Sequence, residues 1–306
     1  MPEKTAGAGA ASSPIGWIGV GKMGLPMAGR LLGEGQTLIA IDKNEEALAQ
    51  IAETGAAVAT SIADFTPCRT VFTMVPDDAA LDGVVFGENG SPGLLESIDT
   101  GNILVEMSTV SPGCSARVAE ALVQKGIHYI RAPVSGSTAL AQSGQLTVLG
   151  SGDEKAWEEV KPLLSTFSAK QFYFGDGDEA RFMKLVLNTL VGATSAILAE
   201  ALLLGEQGGL TRSQMMSAIN DSAVASPLLK YKQEIVENDS FEPAFTVGQM
   251  IKDFTLVTQA GLGAGIPLLA TSMILQQYQS AARMGMKDKD FFSLVKWLSE
   301  ISGRTN

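Results

Sequence analysis

Residues 14–42 read PIGWIGVGKMGLPMAGRLLGEGQTLIAID. The short apolar run 14–20 predicts a strand, and it leads directly into Gly19, Gly21 and Gly24, spaced G-x-G-x-x-G at the start of a helical segment. In a strand–turn–helix unit the first glycine permits the turn, and the second lets a diphosphate approach the backbone. The third lets helix and strand pack closely. Free N–H groups of the loop, with Lys22 and Met23 between the glycines, then face the phosphates at the helix start. Pro26 lies early enough in that helix for its missing N–H to cost little. A second strand is expected at 37–41, and Asp42 follows it, eighteen residues beyond Gly24. A carboxylate there accepts both hydroxyls of an adenine ribose and repels a 2′-phosphate. NAD is therefore the expected cofactor, with NADP not excluded because Lys43 softens the repulsion. Asp42 also suits the N-cap of a helix over 44–52, a role compatible with the first.

Further strand-like runs stand at 70–75, 103–107, 128–132, 146–150 and 171–174, with helical segments between several of them, 112–124 being the clearest. Strands alternating with helices predict an α/β, doubly wound, largely parallel sheet of Rossmann type, whose ligands lie beyond the strands' carboxyl ends. Two of those ends are Met74-Val75-Pro76 and Met107-Ser108-Thr109, suited to the rim of a ribose or nicotinamide; Ser108 and Thr109 equally suit a cap for the next helix. His128 begins a strand and is expected to be a packing histidine. Ser135-Gly136-Ser137 forms a compact loop whose amides and hydroxyl suit a carboxylate, or only a turn.

Gly175-Asp176-Gly177 breaks the alternation, and the remainder reads as all helix, with segments at 179–207, 211–220, 227–237, 247–262, 267–283 and 290–299. The expected organisation is a mobile tail over 1–13, a dinucleotide-binding domain over 14–177 and an all-helical substrate and dimerisation domain over 178–306. Segment 179–207 has no proline and is apolar at Phe182, Leu185, Val186, Leu190, Val191, Ile197 and Leu198. As one helix it spans roughly 40 Å at about 1.5 Å per residue. Lys184 and Asn188, four apart, share a face and place a cation and an amide within reach of one small molecule. Lys252-Asp253 falls inside the 247–262 helix, where one side chain reaches a cofactor while the other supports a helix contact, or both form a surface charge pair.

The net charge of −11 argues against a nucleic-acid or anionic-membrane surface. Cys68, Cys114 and the single His128 supply no metal-ligand cluster, so no metal is expected. Residues 1–13 resemble neither a signal nor a transit peptide, and the apolar run 189–199 is short for a bilayer. A cytoplasmic setting is the expectation. Apolar helices beyond Gly208 outnumber what one small domain covers, which predicts a homodimer or homotetramer.

In order along the chain come GVGKMGLPMAGRL, MVP, MST, APVSGS, K-x-x-x-N and F-x-x-x-x-M-x-K-D. Together they closely resemble the β-hydroxyacid dehydrogenases, a family that includes 3-hydroxyisobutyrate dehydrogenases and tartronate semialdehyde reductases. The resemblance implies hydride transfer between a nicotinamide cofactor and a small 3-hydroxy acid or its semialdehyde. It implies Lys184 as the catalytic lysine, Asn188 orienting substrate, and Ser135 with Gly136 holding its carboxylate. Thr109 and Lys252 are implied at the nicotinamide end. Ser137 replaces the second glycine of the usual S-G-G, and Arg131 stands where an aspartate usually precedes A-P-V-S. With only one histidine, a lysine must move the proton. Imine reductases share the architecture but generally carry Asp or Tyr at the Lys184 position, and a noncatalytic cofactor-binding module would not need Lys184 and Asn188.

Overall fold

The computed structural model describes residues 13–304, and the chain divides between Phe182 and Met183 into two compact units. All but the last residue of the expected mobile tail lies outside the described residues.

The first unit is built on nine strands: β1 (Ile15–Ile18), β2 (Leu38–Ile41), β3 (Ala57–Val58), β4 (Thr70–Thr73), β5 (Ile103–Glu106), β6 (His128–Arg131), β7 (Val134–Ser135), β8 (Leu146–Gly152) and β9 (Ser168–Tyr173). Their order is β3-β2-β1-β4-β5-β6-β8-β7, with β9 on β8. Strands β1 to β6 pair in parallel, while β8 runs antiparallel to both β6 and β7. Helices α1 (Gly24–Gly33), α2 (Glu45–Glu53), α3 (Asp78–Phe86), α4 (Leu94–Ser97), α5 (Pro112–Gln124), α6 (Thr138–Gln142) and α7 (Glu154–Leu164) connect the strands.

Alternation along the strands sorts the core onto the two faces of the sheet. Trp17, Phe72, Val105 and Ile130 pack with α1 and α7 through Met27, Leu31, Trp157 and Val160. Ile18, Val71, Leu104 and Tyr129 pack with α3 and α5 through Leu81, Val85, Val118 and Leu122. Buried on both faces, β1, β4 and β5 carry consecutive buried residues instead of an alternation of buried and exposed ones. Helices α3 and α7 escape the sequence reading. Helix α7 carries five charged side chains among its eleven residues and Pro162 inside it, and α3 is short and capped by Asp77.

Helix α8 (Glu179–Gln207) begins in the first unit and runs through the second, with the limits the composition predicts. It is joined there by α9 (Arg212–Asn220), α10 (Pro227–Glu237), α11 (Val247–Gly263), α12 (Leu269–Ala281) and α13 (Leu294–Ile301). Thr211 and Thr246 close capping boxes with Gln214 and Gln249, and Ser226 caps α10. Leu198, Leu202, Met216, Met250, Phe254, Tyr278, Phe292 and Trp297 form the core. A Cβ at Gly192 would strike Phe254 and the Met250 sulfur, so this glycine lets α11 lie close against α8. The helix expected from 267 starts at Leu269, since the backbone at Ile266 turns back to Gly261. The one expected over 290–299 opens as a 3₁₀ turn, Phe291–Ser293, because Asp290 caps Phe292 and pairs with buried Lys232 at 2.6 Å.

Candidate functional site

In the first unit the chain reverses direction of winding between β1 and β4, and the crevice at such a point is where open α/β sheets bind ligands. Four strand ends converge there. Gly19 leaves β1 with φ +93, and a Cβ on it would strike the Met74 carbonyl at the end of β4. A Cβ on Gly24 would strike the Gly19 carbonyl, whereas one on exposed Gly21 would meet nothing within 4 Å. The loop is thus closed against the sheet and open above Gly21, a cradle that suits a diphosphate. No side chain caps the start of α1; Leu25 N–H already bonds the Gly21 carbonyl and Pro26 has none, so an anion would be met by the amides of the loop just ahead of the helix. Lys22 is exposed and Met23 half-buried beside it.

Asp42 ends β2. Its Oδ2 accepts the Val20 N–H at 2.7 Å and its Oδ1 the Asn44 N–H at 2.8 Å. Asn44, not Asp42, caps α2, accepting from Glu46 and Ala47, which corrects the capping role considered for Asp42. The carboxylate is instead oriented by the glycine loop, and each oxygen keeps lone pairs for a ribose hydroxyl. Lys43 is exposed and pairs with Glu88 at 3.2 Å.

At the next two strand ends, Ser108 Oγ accepts the Val75 N–H at 2.7 Å. The cap of α5 is Ser111, so the capping alternative for Ser108 and Thr109 does not hold. Half-buried Val75 and Thr109 and exposed Pro76 lie at this rim. Ser135 belongs to β7, paired with Thr147, and Gly136 is exposed with φ +140. Ser137 caps α6 by accepting the Leu140 N–H at 3.4 Å. The sequence reading makes 135–137 a loop; the structure makes it a strand end and a helix cap, with Gly136 the hinge between them. His128 is not a packing residue: it is part-exposed, with Nδ1 3.5 Å from Asp153.

In the second unit Lys184, Asn188, Lys252 and Asp253 come together. Asn188 is buried and donates from Nδ2 to Asp253 Oδ2 at 2.6 Å. Asp253 is buried and its Oδ1 lies 3.0 Å from Lys252 Nζ. The surface-pair alternative for Lys252-Asp253 therefore fails on its acidic member. Burial pushes the Lys184 amine below the usual lysine value; Asp253 opposes that shift and Lys252 adds to it. The sequence reading gives the Lys252-Asp253 pair a helix contact without naming its partner, and the structure supplies that partner as Asn188. Among the described residues no group of three or more His, Cys, Asp or Glu side chains is placed to hold a metal.

Comparisons with known proteins agree with this fold. Residues 14–175 match the family described as the NAD binding domain of 6-phosphogluconate dehydrogenase. Residues 178–298 match the NAD-binding family of NADP-dependent 3-hydroxyisobutyrate dehydrogenase. The 2-(hydroxymethyl)glutarate dehydrogenase of Eubacterium barkeri is 33% identical over 294 residues, which cover 95% of this chain and 97% of that one. Glyoxylate/succinic semialdehyde reductase 1 of Arabidopsis thaliana is 29% identical, covering 92% and 97%. The crystal structure of 3-hydroxyisobutyrate dehydrogenase from Salmonella typhimurium superposes with a TM-score of 0.83 at 26% identity, covering 92% of this chain and 99% of that one. The chain belongs to the β-hydroxyacid dehydrogenase family. It is an NAD(P)-dependent oxidoreductase with a Rossmann domain and a helical second domain.

Proposed function

We propose that this protein interconverts a small 3-hydroxy acid and its semialdehyde, with Lys184 as general acid and base. The observation that carries the proposal is the cluster itself: half-buried Lys184 stands one turn before Asn188, whose amide is fixed by buried Asp253, with Lys252 beside it, and burial there shifts the Lys184 amine downward. A lysine so shifted exchanges a proton nearer neutrality than a solvated one. When bound, the dinucleotide supplies or accepts the hydride. In the oxidising direction the neutral amine takes the hydroxyl proton at Nζ; in the reducing direction the ammonium returns it to the carbonyl oxygen. Asn188, fixed by Asp253, presents its remaining amide atoms to the substrate oxygen. Ser135 and the amides of Gly136 and Ser137 hold the carboxylate, and the hydroxymethyl of Ser137, where the family pattern has a glycine, favours a compact acid. Names of the relatives, a 2-(hydroxymethyl)glutarate dehydrogenase and a glyoxylate/succinic semialdehyde reductase, support this class. Initial rates over a panel of 3-hydroxy acids and semialdehydes with NAD and NADP, in both directions, test it. Turnover confined to substrates without a carboxylate would sink it.

We also infer self-association through α8. By length and composition α8 is apolar enough to cross a membrane, with mean hydropathy 1.6 in its most apolar window, but a core helix passes the same test. One face packs the core of the second unit, while Val186, Leu190, Ile197 and Leu204 are exposed at 51%, 63%, 61% and 75%. Their spacing of four, seven and seven residues is that of a helix-pairing seam. A second copy of the chain is the occupant that such a self-complementary stripe suits.

A further inference from the structure

Arg131, which departs from the aspartate of the family pattern, is buried in a four-charge cluster of the first unit. Its Nε donates to Asp178 Oδ1 at 2.5 Å and to Ser115 Oγ at 3.0 Å, and its guanidinium lies 4.7 Å above the Tyr129 ring. Ser115 Oγ in turn donates to Asp178 at 2.9 Å. Beside it Arg181, 1% exposed, contacts Glu106, which is fully buried at the end of β5. Two cations face two anions. Replacing such a buried group by apolar side chains is often neutral or stabilising, so stability alone is a weak account of it.

Its geometry is specific. Arg181 Nη1 donates to the Ser108 carbonyl at 2.5 Å, and Glu106 Oε1 accepts the Ser108 N–H at 2.5 Å. The two partners of one ion pair therefore grip both peptide groups of a single residue. The hydroxyl of that residue accepts the Val75 N–H at 2.7 Å and ties the end of β4 to the end of β5. Burial brings Arg181 down to about 9, so it is still a cation at neutral pH.

We propose that Arg181 and Glu106 are positioning residues for the nicotinamide end of the cofactor, acting through Ser108 on Val75 and Thr109. The proposal rests on the reading that Val75 and Thr109 line that end. The adenosine half depends on other parts, the Gly19–Gly24 loop and Asp42, which the cluster does not touch. Loosening the clamp should therefore spoil hydride transfer while sparing adenosine binding.

The test is the paired variant Arg181→Met with Glu106→Gln, which removes both charges and strands neither. Calorimetry with ADP-ribose reads the adenosine half; NADH fluorescence on the bound enzyme and kcat read the nicotinamide half. Expected are unchanged ADP-ribose affinity, altered NADH fluorescence and a kcat lower by about 10- to 100-fold, the effect of a misplacement near 1 Å. Arg181→Lys, a cation without the planar fork, should recover only part of the loss. Unchanged kcat and fluorescence in the paired variant overturn the proposal, and so does a parallel loss of ADP-ribose binding or of the fold. Thr109→Val separates the two layers. If it alters NADH fluorescence and kcat while the paired variant does not, the positioning role is wrong and the rim reading stands. If it alters neither, the rim reading fails and the proposal falls with it.

Discussion

The Asn188 amide donates to Asp253 Oδ2 at 2.6 Å, so an amide on α8 is oriented by a buried carboxylate on α11. A hydrogen bond to a charged partner contributes about 1.5–3 kcal/mol. Asp253→Asn removes the anion and lets the Asn188 amide face either way. Because Asp253 raises the Lys184 amine against the pull of burial, its loss should shift the lysine limb of the pH–rate profile to lower pH and reduce kcat. A variant with lower kcat and an unmoved limb would make Asp253 a support of the helices only.

Lys184→Ala should lower kcat by a factor of about 10²–10⁴, the usual weight of general acid–base catalysis, and leave cofactor affinity nearly intact. A near-normal kcat rules out the proton-transfer role.

Stability should move the other way. The folded amine of Lys184 lies below its unfolded value of 10.5 because burial disfavours the ammonium. The unfolded chain then binds more protons between the two values, and stability rises with pH across that window. The penalty is fully present below the folded value and fades as pH approaches 10.5. Lys184→Met should therefore melt at a higher temperature than the parent at pH 7, with the gap closing by pH 10.5. Thermal denaturation at the two pH values checks it, and a lower Tm for the variant at pH 7 contradicts it.

Asp42 meets the glycine loop through Val20 and offers its free lone pairs beyond β2. Asp42→Ala should weaken NAD and move the ratio of kcat/KM values towards NADP, since a carboxylate repels a 2′-phosphate. A parent enzyme that already prefers NADPH refutes the role given to Asp42.

Leu190→Glu with Ile197→Glu places charge on the exposed stripe of α8 without entering its buried face. Light scattering at micromolar concentration should show the parent above its 32.0 kDa chain mass and the variant shifted to that mass. A parent that is already monomeric and active removes the interface.

Much of the fold was legible because its signals are local. Three glycines at fixed spacing, an apolar run before them and Asp42 after them specify the first crossover, since each acts on its immediate neighbours. Helix α8 was readable to both ends, with no proline between a glycine-rich break and Gly208-Gly209. Strand β9 was read three residues short, at 171 instead of Ser168, because its opening is polar and largely exposed and carries no alternation.

The sequence by itself determined the Rossmann unit, the helical remainder and the pairing of Lys184 with Asn188 on one helix, all of which follow from spacing along a single element. Only the tertiary structure decided that Asp253 is buried against Asn188, since that needs α11 to lie close over Gly192. It alone decided that Arg181, a charge on an apolar helix, meets Glu106 across 75 positions of chain. Burial and charge pairing are properties of what a residue packs against, and chain order does not carry them.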